Sequence, residues 1–118
     1  FLNGMFAFAV LDLKSSILTL VRDRIGVKPL YYYDDNERFA FASELKALLC
    51  VPGIQKNVKR ASLNDYFCFG MVPGPDTIYE CIYKLEPGHY LQLSLDSGKL
   101  SPQIPYWHLE FSPDYKRT

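Results

Sequence analysis

Six consecutive apolar residues, Phe6-Ala7-Phe8-Ala9-Val10-Leu11, constrain this chain more than any other feature. Side chains alternate across a strand, so Phe6, Phe8 and Val10 take one face and Ala7, Ala9 and Leu11 the other. Both faces are then apolar, and the strand is expected to be covered on both sides. Ile17-Leu18 and Leu20-Val21 make a second strand after the polar Lys14-Ser15-Ser16 turn. Leu30 to Tyr33 and Phe39 to Ala42 flank Asp34-Asp35-Asn36-Glu37, a hairpin turn by composition. The first 43 residues thus read as an antiparallel meander.

The period then changes. Ser43 is expected to cap a helix from Glu44, with Leu45, Leu48 and Leu49 on one stripe and Pro52-Gly53 ending it. A second short helix is predicted over Ser62 to Phe69, with Ser62 as cap and Asp65 completing a capping box. Gly70 to Pro75 reads as a stiff loop. Strand returns over 78–93, with Pro87-Gly88 as a turn, and Asp96-Ser97-Gly98 turns the chain into Leu100 and a Pro-interrupted run to Trp107. Phe111 to Thr118 has few packing signals and reads as a linker.

At 118 residues the chain has one domain's worth of sequence or part of one, and 48% hydrophobic residues suffice for a real core. Thirteen basic and thirteen acidic side chains cancel, so no net field points to nucleic acid or anionic lipid, and Lys116-Arg117 is too short for a basic arm. No apolar run approaches the roughly 20 residues of a membrane span, and residues 5–11 lack the basic flank of a signal peptide. Cys50, Cys68 and Cys81 show neither CxxC nor metal spacing, and are expected to be buried free thiols of a cytoplasmic protein. The chain does not begin with Met, which suggests an excerpt of a longer one.

Arg22-Asp23-Arg24-Ile25-Gly26 marks a tight turn: Asp23 can accept backbone N–H groups and Gly26 permits a positive φ. Arg22 is expected to form an ion pair with a buried carboxylate that fixes this turn; the alternative role is a bidentate ligand for a substrate carboxylate. A cysteine nucleophile built from Cys68 or Cys81 with His89 or His108 has no supporting motif.

Gly4-Met5-Phe6-Ala7-Phe8-Ala9-Val10-Leu11-Asp12, followed by Arg22-Asp23-Arg24-Ile25-Gly26-Val27-Lys28-Pro29-Leu30-Tyr31-Tyr32, resembles the later part of the glutaminase domain of glutamine-dependent asparagine synthetases, class II (N-terminal nucleophile) amidotransferases. Phe41 to Leu49, with Ala42-Ser43-Glu44-Leu45-Lys46, is a second match. Phe69-Gly70-Met71-Val72-Pro73-Gly74-Pro75, running on to Leu85-Glu86-Pro87-Gly88-His89-Tyr90, resembles the junction where that domain hands over to the synthetase domain. The three matches lie in order over nearly the whole chain. Glucosamine-6-phosphate synthase resembles this pattern less, whereas amidotransferases of polysaccharide and natural-product pathways resemble it more closely.

The resemblance implies an α+β fold: an incomplete N-terminal-nucleophile α/β/β/α sandwich, mostly antiparallel sheet with two short helices. Residues 1–108 would be the C-terminal part of the amidotransferase domain, and 109–118 the start of a linker toward a synthetase domain. In the family an N-terminal cysteine thiolate attacks the glutamine amide, two donors hold the oxyanion, and ammonia passes through a tunnel to ATP-activated aspartate. No catalytic residue of that machinery maps onto this chain, where position one is Phe1 and Asn3-Gly4 lies too close to the first strand to be the oxyanion pair.

What does map is interior. Met5 and Val27 match positions that line the ammonia tunnel, whose walls must be apolar to avoid trapping or protonating ammonia. Arg22, Asp23 and Gly26 remain structural. No cofactor or metal is expected on this chain; ATP and Mg belong with the synthetase domain. Its partners would be the rest of the glutaminase half and that synthetase domain, with glutamine and aspartate as the parent's substrates, and uncovered strand edges open a route to homo-oligomers. The chain alone is expected to be inactive. Two alternatives stand beside this reading: a related amidotransferase or cyclase with another ammonia acceptor, and a non-catalytic interaction module of the same fold.

Overall fold

The computed structural model describes residues 2–113. They form two antiparallel sheets and two helices joined by loops and turns. The larger sheet has the order β1 (Ala7–Asp12), β2 (Ile17–Arg22), β6 (His89–Ser94), β7 (Ile104–Pro105). The smaller has the order β4 (Phe39–Ala42), β3 (Tyr31–Asp34), β5 (Ile82–Lys84). The chain is therefore α+β with antiparallel sheets and two helices, as expected.

Three consecutive tyrosines build the fold because strand alternation sends them to two cores. Tyr32 points toward the larger sheet and packs with Leu20 of β2, Leu91 of β6, Leu30 and Leu85. Leu20 and Leu91 stand opposite each other in the β2–β6 register and are both fully buried. Tyr33 points the other way, onto Leu48, Ile54 and Ile82, with Tyr31 and Leu45 beside them. The smaller sheet is thus covered on both faces, by the larger sheet and by helix α1 (Leu45–Leu48) with the loop after it.

Local turn chemistry joins the strands. The Asp12 carboxylate accepts the Lys14 N–H and the Ser15 hydroxyl, closing the β1–β2 hairpin. Asn36 adopts φ +69° in the β3–β4 turn, a conformation asparagine tolerates better than most residues.

Several expectations need correction. Residues 1–43 do not form one meander: β1–β2 and β3–β4 belong to different sheets, because the 23–30 segment crosses between the layers. Strand β1 is not covered on both sides. It is an edge strand, Ala7 reaches the core, and Val10 and Leu11 remain 51% and 47% exposed. Ser43 does not cap α1; Glu44 holds the cap position in extended backbone, with no side-chain bond.

Helix α2 (Arg60–Phe69) begins two residues early, capped by Lys59 without a side-chain bond. Pairing with the 76–80 segment fixes its start: the Lys59 N–H donates to the Ile78 carbonyl, and the Lys59 ammonium meets Asp76 at 2.7 Å. Ser62 consequently lies inside the first turn, fully buried, its hydroxyl without a partner among the described residues. The run 78–93 is broken as well, since Cys81 takes φ +61° and regular pairing starts only at Ile82. Nor are the thiols buried: all are free, Cys50 and Cys68 are exposed and Cys81 is half-buried. The end of the expected linker, residues 114–118 with Lys116-Arg117, and also Phe1, lie outside the described residues. No helix among the described residues is long and apolar enough to cross a membrane.

Candidate functional site

The 22–28 loop is densely hydrogen-bonded, and Asp23 is its centre. Asp23 is 1% exposed. Its Oδ1 accepts the backbone N–H groups of Ile25 (3.2 Å), Gly26 (2.7 Å) and Val27 (3.1 Å), and its Oδ2 accepts that of Lys28 (3.0 Å). Burial alone would push this carboxyl upward in pKa. The donors from Lys28, Val27 and Gly26 outweigh burial and hold it below the usual carboxylate range. A carboxylate in the chain thus fills a ring of backbone donors that would otherwise attract an external anion.

Arg22 serves the same loop from its acceptor side. Nε donates to the Lys28 carbonyl at 2.8 Å, Nη2 to Gly26 at 2.8 Å, and Nη1 to Leu85 at 2.6 Å. The ion pair expected for Arg22 does not form, because Asp23 is saturated by peptide N–H groups and the guanidinium meets only carbonyls among the described residues. With one bond from each of its three nitrogens to a backbone carbonyl, Arg22 is held against its own loop and the Leu85 turn.

Two glycines let this loop meet the 85–88 turn. Gly26 has φ +74°, and a Cβ there would lie 2.5 Å from Pro87 Cγ. Gly88 has φ +68°, and a Cβ there would lie 2.7 Å from the Trp107 carbonyl oxygen. Backbone bonds lock the contact: the Gly88 N–H donates to the Asp23 carbonyl, and the Tyr106 N–H to the Gly88 carbonyl. The Tyr106 hydroxyl closes the third side on the Arg22 carbonyl.

Met5 and Val27 stand at the two ends of this construction, before β1 and after Gly26. Both are exposed, 63% and 52% respectively. Met5 also borders a cleft with Phe6, Lys28, Pro29 and Glu44. Asn3 Oδ1 accepts from Arg24. His89 Nδ1 lies 2.7 Å from the Pro87 carbonyl and His108 Nε2 lies 2.7 Å from Glu110. Neither imidazole bonds a cysteine among the described residues, so no cysteine–histidine nucleophile is assembled there.

Two polar networks escaped the sequence reading. Asp35 Oδ2 accepts from the Tyr33 hydroxyl at 2.6 Å and from Arg38 Nη2 at 2.7 Å, while Arg38 Nη1 reaches the Gly53 carbonyl. The Tyr33 bond, then the Arg38 bond, hold Asp35 well below the usual carboxylate range. The Asp-x-x-Arg spacing was the available signal. Gln103 is the second: its side chain accepts the Glu86 N–H and donates to the Lys84 carbonyl and the Tyr32 hydroxyl, tying the approach to β7 onto the smaller sheet. Nothing local in the sequence marks Gln103.

Two face-to-face antiparallel sheets with a helix outside the smaller one, joined through a carboxylate-centred loop, define an α+β domain of layered type. A family model described as a glutamine amidotransferase domain matches residues 1–107, and the chain belongs to that family. It is 42% identical over 116 residues to a protein of Methanocaldococcus jannaschii provisionally named asparagine synthetase [glutamine-hydrolyzing] 2, covering 97% of this chain and 22% of the relative. It is 41% identical over 110 residues to asparagine synthetase [glutamine-hydrolyzing] 3 of Bacillus subtilis, covering 92% and 17%. Amidase chry2 of Gibberella zeae is 35% identical over 113 residues, covering 96% and 16%. The chain spans about a fifth of the length of the curated relatives it matches.

Proposed function

We propose that this chain is the later part of the glutaminase domain of a glutamine-hydrolysing asparagine synthetase, and that it acts as scaffold and ammonia-tunnel wall. The observation that carries this reading is the family match over residues 1–107, together with the names of the two asparagine synthetase relatives. In this reading residues 1–108 complete an N-terminal-nucleophile sandwich with a preceding half, and 109–118 lead to a synthetase domain. The parent hydrolyses glutamine and passes ammonia to aspartate activated by ATP with Mg, none of which this chain binds.

The Asp23-centred loop would then be the rigid support for the wall. It fixes the backbone on both sides of Val27 through four charge-assisted bonds, each stronger than its neutral equivalent. Met5 and Val27 present apolar surface to whatever lies beyond them, as a conduit for neutral ammonia requires. Their exposure is the footprint expected of residues that face an interior completed by other segments.

The isolated chain is expected to be inactive, because a thiol nucleophile needs a base within hydrogen-bond reach and Cys50, Cys68 and Cys81 bond to none among the described residues. Ammonia release from glutamine by the pure chain tests this. No release above the buffer blank is expected, and glutamine-specific turnover would refute the reading. The name of the Gibberella relative favours one second reading: an amidotransferase of the same family that feeds a different acceptor.

A further inference from the structure

A cavity of about 510 Å³ opens between α1, α2 and the outer face of the smaller sheet. That volume falls within the roughly 300–1,000 Å³ of small-molecule sites. Tyr31 and Lys84, opposite each other in the β3–β5 register, form its floor. Leu45 of α1 and Leu63, Tyr66 and Phe67 of α2 form its sides. Phe67 is 80% exposed, and with Tyr66 and Met71, also exposed, it gives the cavity an apolar rim.

Lys84 is the feature that apolar packing does not explain. Its ammonium carries three N–H donors, and among the described residues it bonds to one acceptor, the Val72 carbonyl. It makes no ion pair there. The neighbouring acid, Asp76, is bonded to Lys59. Thr77, also at the cavity, directs its hydroxyl to the Ile82 and Tyr79 carbonyls, which leaves the lysine as the cationic group there, beside the neutral hydroxyls of Tyr31 and Tyr66.

We propose that this cavity binds a small amphiphilic carboxylate, its headgroup on Lys84 Nζ and its apolar body along Leu63, Tyr66 and Phe67. The chemistry is complementary at both ends: one half-buried cation and one apolar wall select a molecule with one anion and one apolar tail. Burial, then the Arg22 guanidinium, already lower the lysine's proton affinity, so a bound carboxylate relieves an unfavourable charge. The proposal goes beyond the amidotransferase reading: the residues that line this cavity are not those of the 22–28 loop.

Calorimetric titration of the full chain with octanoate and with its neutral counterpart octanamide tests it. Octanoate is expected to bind about tenfold or more tighter than octanamide, the worth of one charge-assisted hydrogen bond. Lys84→Met, which keeps the aliphatic stem, should abolish that preference. Phe67→Ala, at an exposed position that folding does not need, should weaken both ligands alike. Equal affinity for the two ligands would mark a plain apolar surface, such as one that docks a polypeptide, and would overturn the proposal. So would no binding to the folded chain, or a preference that persists in Lys84→Met. If Lys84→Met fails to fold, the octanoate-to-octanamide ratio on the unmodified chain and Phe67→Ala decide alone.

Discussion

Arg22 and Asp23 are adjacent in sequence and bond the same loop without pairing with each other. The carboxylate takes the N–H groups of residues 25–28, and the guanidinium takes the carbonyls of Gly26 and Lys28. One loop thereby has its donors and acceptors satisfied by two consecutive side chains, at the point where the chain crosses from one sheet to the other.

Asp23→Asn is therefore expected to destabilise the fold by about 3 kcal/mol, through lost charge-assisted bonds and an amide NH₂ forced against backbone donors. Urea unfolding of the variant, followed by circular dichroism, measures this. Arg24→Ala, which removes only a 3.3 Å bond to Asn3, should change stability by less than about 0.5 kcal/mol and serves as the comparison.

Gly26→Ala is expected to cost about 2–4 kcal/mol, from an unfavourable positive φ and the clash with Pro87. Pro87→Ala removes the Cγ contact at 2.5 Å and leaves the Cβ contact at 3.0 Å. The double variant should recover part of the loss, a coupling that a double-mutant cycle detects. No such partner exists for Gly88, where the obstacle is the backbone oxygen of Trp107.

Ser62→Ala should stabilise the chain by about 1 kcal/mol. It removes a buried hydroxyl without a partner among the described residues and replaces serine by the best helix former inside α2. A rise in thermal midpoint of the same protein checks it.

Acid sensitivity follows from Asp23 and Asp35, both held below the ordinary carboxylate range. A carboxyl group whose folded pKa lies below its unfolded value of about 3.9 stabilises the fold at any pH above that value. The contribution fades as pH falls through the folded pKa. The urea midpoint should hold from pH 7 to about pH 5 and drop below about pH 4. The double variant Asp23→Asn, Asp35→Asn should show a shallower drop.

Much of the fold was legible from residue patterns, and the failures share a cause. Apolar and aromatic runs bounded by polar turns placed β2, β3 and β4, and Asp34 to Glu37 marked the β3–β4 hairpin by composition alone. Asp23 and Gly26 were readable because side-chain acceptors and positive φ are local properties. Helix starts were not, because tertiary pairing of Lys59 with Ile78 and Asp76 set the start of α2 and left Ser62 inside. Arg22 was misread for a similar reason: its acceptors come from Leu85, far along the chain, as well as from its own loop. Six apolar residues at β1 implied two covering layers, yet only one face of that strand meets a described layer.

The central claim is that the Asp23 loop holds Val27 against an ammonia passage. The direct test is Val27→Trp in the longer polypeptide that this reading requires, comparing product formed from glutamine with product formed from added ammonium. The account predicts that glutamine hydrolysis and ammonium-dependent product hold while glutamine-dependent product falls. Equal loss from both nitrogen sources, or no loss from either, would contradict it.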